Sequence, residues 1–251
     1  MDNKEYWNNR AKGYSEVNKE ELTGIQKMTW SSFLAGQIDE YFSDRKRCNI
    51  KVLDVGAGPG FISTILAEAG YDVTAFDFSE EMLKEARINA GSFASEIDFI
   101  QGEAQDLPFS AESFDVVFSR NLTWNLPHPQ KAYEEWLKTL KKRGLMLVFD
   151  ANWYSYLVDD EKKQAYSKDR ENVSKSNFED YNIGENFDQM EKIAYNMPLT
   201  NKKRPQWDIE FLTGLNIGKV SAMEDVGRML YSEKELVNYH STPLFMVKLE
   251  K

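Results

Sequence analysis

Residues 56–60 read Gly-Ala-Gly-Pro-Gly and follow the apolar run "KVLDV". Glycine permits a tight turn and lets ligand atoms approach the backbone. A loop of this composition at the end of a strand lets a ligand lie close against the backbone. A dinucleotide-binding G-x-G-x-x-G loop would carry its third glycine at position 61. Phe61 stands there instead, glycine falls one place early, and Pro59 fixes the loop differently. A pyrophosphate tucked onto the start of the next helix is thereby disfavoured. Asp54 precedes the loop, and Asp77 closes the next apolar run, "YDVTAFD". A carboxylate at Asp77 can accept hydrogen bonds from both hydroxyls of a ribose. NAD-binding folds use the same arrangement, so Asp77 alone does not discriminate. Phe78 and Met82 follow, residues that could equally fill a core.

Other groups could bind a small molecule. The segment "SRNLTWNLPHPQKAYEEW" offers Arg120, Asn121 and Trp124 to line a pocket, and His128 as a general base titrating near neutrality. His128 also sits between two prolines before a helix, where a turn residue is equally at home. Asp150, Asn152 and Trp153 leave the end of another apolar run, and "MPLTNKKRPQW" adds Arg204 and Trp207. Polar groups beside aromatic walls suit a small organic molecule, or a cation held on ring faces. An anionic substrate group could pair with Arg120 or Arg204. Two histidines and one cysteine rule out a His/Cys metal cluster, and no carboxylate spacing suggests magnesium. No Gly-x-Ser-x-Gly nucleophile elbow occurs.

Alternating strands and helices position these groups. The runs "NIKVLDVG", "YDVTAFD", "IDFIQG", "FDVVFS" and "LMLVFD" read as five strands. Between them lie amphipathic helices: one over "FISTILAEAG", one capped by Ser79, and one opened by Pro129. Apolar spacing predicts a further helix over residues 16–42. The pattern is that of an α/β fold with a mostly parallel sheet covered on both faces. After Asp150 it breaks. Residues 151–205 are polar and aromatic, with a charged helix expected near 159–169, and are too long for a simple turn. Leaving the carboxyl end of a strand, this stretch reads as a substrate wall or lid. A helix over "PQWDIEFLTGLN" and a strand pair from "IGKVSAMEDV" and "PLFMVKLE" are expected to follow.

The chain's 251 residues carry a formal charge of −10. That balance weighs against a phosphate-tracking surface, hence against DNA or RNA. The lone Cys48 permits no internal disulfide, the start is polar, and no window is long and apolar enough for a membrane span. The expectation is a soluble, cytoplasmic protein.

Taken in order, the motifs resemble those of class I S-adenosylmethionine-dependent methyltransferases, small-molecule branch. "VLDVGAGPG" is similar to the family's first motif. The resemblance implies that Gly56, Ala57, Gly58 and Gly60 lie against the methionine part of the cofactor, with Asp54 beneath. Asp77 would hold the ribose, with Phe78 and Met82 along the adenosine. "GEAQDLPFSAESFDVVFS" resembles the segment whose acidic residue and alanine, here Glu103 and Ala104, edge the adenine, and it ends at Ser119. Glu103 replaces the commoner aspartate. "YWNNRAKGY" resembles a segment that folds over the cofactor, implying roles for Tyr6, Arg10, as partner of a carboxylate, and Tyr14. "KTLKKRGLMLVFDANW" departs from the usual L-K-P-G-G turn.

The resemblance implies a three-layer Rossmann-like sheet of seven strands with the last antiparallel. It would be arranged as a helical cap (1–44), a cofactor-binding core (45–150), an inserted substrate cap (151–205) and a completing helix and strand pair (206–251). It further implies methyl transfer to an N, O, S or C atom of a small molecule, without metal, in a chain that could self-associate. Two alternatives stay open: methylation of RNA or a protein side chain, and a cofactor-binding sensor without catalysis. Amino-group DNA methyltransferases carry Asn/Asp-Pro-Pro-Tyr/Phe where this chain has Ser119, Arg120, Asn121 and Leu122, which disfavours that subclass.

Overall fold

The computed structural model describes residues 3–183 and 187–251. Two helices, α1 (Asn3–Thr23) and α2 (Ile25–Tyr41), precede the first strand. Then come β1 (Lys51–Val55), α3 (Phe61–Glu68), β2 (Asp72–Asp77), α4 (Glu80–Ala90), β3 (Ile97–Gln101), β4 (Phe114–Arg120), α5 (Pro129–Thr139) and β5 (Leu140–Asp150). After β5 follow α6 (Asp160–Lys175), α7 (Phe187–Tyr195), α8 (Gln206–Gly214), β6 (Lys219–Met223), α9 (Gly227–Leu230), α10 (Glu233–Asn238) and β7 (Phe245–Glu250).

The seven strands form one sheet in the order β3-β2-β1-β4-β5-β7-β6. The first five pair in parallel, and β7 runs antiparallel to both β5 and β6. Alternation along each strand serves two cores. Val52, Val73, Val116, Leu145 and Leu147 face Trp30, Leu34 and Ile38 of α2 and Phe61, Ile65 and Leu66 of α3. Leu53, Val55, Val117, Met146 and Val148 face Ala132, Tyr133, Trp136 and Leu137 of α5 and Leu212 of α8. Both faces are thus dry, which is why the strands read as near-continuous apolar runs. The strand order reverses between β1 and β4, and the crevice at their carboxyl ends is where such sheets bind ligands.

Three expectations need revision. The single helix over 16–42 is two helices, the first beginning at Asn3 and the second after a break at Gly24. A Cβ at Gly24 would meet the Glu20 carbonyl oxygen at 2.9 Å, so the tight corner suits glycine. The expected turn at 141–144 lies inside β5, where pairing with β4 shifts register between Phe114 and Val116 and Arg143 takes a φ of 58°. The helices α7, α9 and α10 were not foreseen; α9 and α10 are short, and α7 sits in the polar insertion.

The early start of α1 has a physical reason. Its buried positions include Ser15, Asn18 and Glu21, so no apolar stripe betrays it. Polar contacts hold it over the sheet's crevice: Ser79 Oγ donates to Asn8 Oδ1 at 2.6 Å, and the Phe61 amide donates to Asn18 Oδ1 at 3.1 Å. A third apolar cluster joins Tyr6 and Trp7 of α1 to Trp124, Trp153, Tyr154 and Met190, tying the helix to the insertion after β5.

Candidate active site

Glycine is required at two points of the loop between β1 and α3, for different reasons. Gly56 has a φ of +73°, and a Cβ there would lie 2.7 Å from Leu122 Cδ2. Gly60 has a φ of +85°, and its Cβ would strike Ala86 Cβ of α4 at 2.8 Å. Gly56 thus keeps the cleft open. Gly60 lies off the cleft lining and lets the loop pack on α4.

Two buried carboxylates brace the loop. Asp54 Oδ2 accepts from Ser63 Oγ at 2.6 Å. Asp77 accepts from the Gly58 amide through Oδ2 and from the Ser79 amide through Oδ1, both at 2.9 Å. Asp77 is only 6% exposed, a buried group and not the solvated strand end that its position suggests. Burial pushes its carboxyl up to about 6, against the backbone hydrogen bonds, and Glu103 adds to the rise. Burial likewise pushes Asp54 up to about 7, opposed by Ser63 and reinforced by Asp77. A nearby cation favours their charged forms, as Arg120 already does for Asp54.

The cleft has two lobes, both open to solvent at the mouth. Gly56, Asp77, Phe78, Leu122 and Asn125 line both lobes and form the neck between them. Beyond the neck on one side lie Glu103, Ala104 and Gly102. On the other lie Asp54, Ala57, Gly58, Met82, Arg120 and Asn121, with Trp7, Tyr14 and Asn18 of α1. Asn121 turns with a φ of 55°, and its buried Oδ1 has no partner among the described residues; the same holds for Asn125 Oδ1. Ser119 is buried beneath, off the lining, its Oγ also unpartnered. Arg120 pairs with Glu21 of α1, and its guanidinium lies over the Trp30 and Phe61 rings at 4.8 and 5.2 Å.

The remaining candidates sit elsewhere. Arg204 and Asp150 are buried and spent on one another: Arg204 donates to Asp150 Oδ2 at 2.8 Å, to Asp208 at 2.8 and 2.9 Å, and to Thr123 Oγ1 at 2.6 Å. Asn152 exchanges hydrogen bonds with the Arg204 backbone, and Trp153 Nε1 donates to Asp150 Oδ1 at 3.1 Å. These groups bolt the two ends of the insertion to β5 and α8. Trp207 stacks on Phe211 against Tyr133, in the core behind the sheet. His128 is exposed at the start of α5 and takes no part in either lobe. Trp124 stands behind the lining, with its ring near Trp7 and Tyr154. Tyr6 packs on Trp7, and Arg10 lies along α1 near Gly13. Sequence reasoning missed Asn18, Glu21, Leu122 and Asn125. The spacing 7, 14, 18, 21 is one helical stripe, visible once α1 is known to begin at Asn3.

Residues 53–148 match the methyltransferase-domain family. Superposition on solved structures covers almost the whole chain. The plantazolicin methyltransferase BpumL, in complex with a triazolic desmethyl analog and S-adenosylhomocysteine, matches over 96% of this chain and 90% of its own, with a TM-score of 0.61 and 14% identity. An S-adenosylmethionine-dependent methyltransferase from Aquifex aeolicus matches over 93% and 96%, with a TM-score of 0.54 and 16% identity. The chain has the class I methyltransferase fold. In sequence, the demethylmenaquinone methyltransferase of Renibacterium salmoninarum is 43% identical over 98 residues. That stretch is 39% of this chain and 40% of the relative, so the match spans about two-fifths of each protein.

The cleft of this methyltransferase fold fits S-adenosylmethionine on its own geometry. Its neck is kept open by a glycine whose Cβ would fill it, and its buried acceptors Asn121 Oδ1 and Asn125 Oδ1 lack partners among the described residues. Two carboxylates with raised proton affinity line it, suited to a ligand that carries positive charge.

Proposed function

We propose that the protein transfers a methyl group from S-adenosylmethionine to a small organic acceptor. The observation that carries this reading is the two-lobed cleft at the carboxyl ends of β1, β2 and β4, roofed by α1. In this reading the adenine takes the lobe of Glu103 and Ala104, with the Ala104 carbonyl already engaged by Trp136 Nε1 at 2.9 Å. The ribose takes the neck beside Asp77, whose carboxylate has about four acceptor sites, three of them met by the Gly58, Ser79 and Phe78 amides. The amino-acid end takes the lobe of Asp54 and Arg120. Bound there, S-adenosylmethionine supplies a methyl group already activated by its sulfonium.

The chain's part is alignment and exclusion of water. Trp7 and Tyr14 roof the lobe, with Trp124 and Tyr154 behind them. A wall of such rings favours an acceptor with a planar, largely apolar body. The similarity of 98 residues to a demethylmenaquinone methyltransferase supports the same class. Among the described residues, neither histidine lines the cleft. A base is needed only where the attacking atom must lose a proton, so this arrangement suits an acceptor whose nucleophile forms without help from imidazole.

The test is labelled methyl transfer from S-adenosylmethionine into a cell extract, fractionated into small molecules, RNA and protein. Label in the small-molecule fraction is expected. Label confined to RNA or protein would overturn the choice of acceptor, and no transfer with intact cofactor binding would favour a sensor.

A further inference from the structure

We infer that Arg120, oriented by Glu21, is the residue that takes the carboxylate of the cofactor's amino-acid end. This deepens the cofactor reading above and rests on it. With adenine beyond the neck, the amino-acid portion extends toward Asn18, Asp54 and Arg120. Among the described residues lining that lobe, Arg120 is the one cation.

Its setting suits a second carboxylate. The Trp30 and Phe61 rings hold the guanidinium plane, and Glu21 takes Nη2. Glu21 is itself held by Asn18 Nδ2 at 3.1 Å, and Asn18 Oδ1 accepts from the amide that opens α3. The fork is thus fixed in place relative to the glycine loop, and N–H donors beyond the one given to Glu21 remain for a ligand. A planar guanidinium can grip a carboxylate through two parallel hydrogen bonds. Burial works against the Arg120 charge, but the Glu21 and Tyr14 fields hold it above its usual range. The ammonium of the same ligand would meet Asp54 across the lobe, so both charges of a zwitterion find opposite partners.

The resemblance pointed to Arg10 for this task. Arg10 lies outside the lining of both lobes, along α1 with its guanidinium near Gly13.

The test compares S-adenosylhomocysteine with 5′-methylthioadenosine, which shares the nucleoside and lacks the amino acid, by calorimetry. In Arg120→Met the affinity for S-adenosylhomocysteine should fall by about 10–100-fold, while that for 5′-methylthioadenosine should change by less than about twofold. Arg10→Met should leave both affinities in place. Removing Arg120 alone strands Glu21. Should that variant fail to fold, Glu21→Gln with Arg120→Met removes both charges and is measured in the same way. Equal weakening of both ligands, or a selective loss in Arg10→Met alone, would overturn the assignment. A wild-type protein that binds neither ligand is a different result, and defeats the cofactor reading itself.

Discussion

Gly56→Ala puts the neck of the cleft to a direct test. Two terms oppose the added methyl. The backbone at φ +73° is left-handed, which for a residue with a Cβ costs about 1–2 kcal/mol. The new Cβ would also sit 2.7 Å from Leu122 Cδ2 and 3.1 Å from Cδ1 and Cγ. Overpacking of this kind costs about 1–3 kcal/mol. The lower end applies, because the obstacle is the tip of a half-buried side chain that can turn. Leu122 lines both lobes, so the turned side chain narrows the neck. The sum is roughly 2–3 kcal/mol, a fall in Tm of roughly 5–10 °C. Affinity for S-adenosylhomocysteine should fall by at least about tenfold.

Gly70→Ala is the matched control: its φ is +92°, and no atom lies within 4 Å of its Cβ. It should show only the backbone strain, about 1–2 kcal/mol, with unchanged affinity. Thermal unfolding and calorimetry on both variants separate strain from contact. Undiminished ligand affinity in a folded Gly56→Ala protein would refute the placement of the neck.

Arg204→Met leaves Asp150 and Asp208 buried without their shared cation. Stability measured in urea should drop by about 3–5 kcal/mol, and a loss below about 1 kcal/mol would show that the bolt is not structural. Asp54 and Asp77, raised to about 7 and about 6, bind protons in the unliganded fold that the unfolded chain has released. Their contribution to stability therefore declines as pH rises from the ordinary value of 3.8 through these two values. A cationic ligand favours their ionised forms, so S-adenosylmethionine affinity should increase from about pH 5.5 to about pH 8 with proton release. Calorimetry in buffers of different ionisation enthalpy reads this directly, and a flat profile without proton release would contradict it. His128→Ala, at an exposed position outside the cleft, should keep turnover within about twofold and stability within about 1 kcal/mol; loss of turnover in a protein that still binds cofactor would restore His128 as a base.

The order of apolar strands and amphipathic helices, the glycine loop and the acidic end of β2 are local properties. They follow from side-chain period and backbone permissiveness, and the chain states them residue by residue. A five-strand alternation with a final pair leaves few ways to build a sheet that is dry on both faces. The roles of polar residues were another matter. Arg120 and Arg204 read alike as cations in aromatic, polar segments. One is paired with Glu21 at the cleft and the other is locked between Asp150 and Asp208. Sequence cannot separate them, because their partners lie 99, 54 and 4 positions away, and burial depends on all of these at once. The same holds for α1. A helix that roofs a polar cavity buries Ser15, Asn18 and Glu21, so hydrophobic periodicity is silent there. Only the packed fold, which brings a polar helix against the open ends of β1 and β4, makes those residues part of a site.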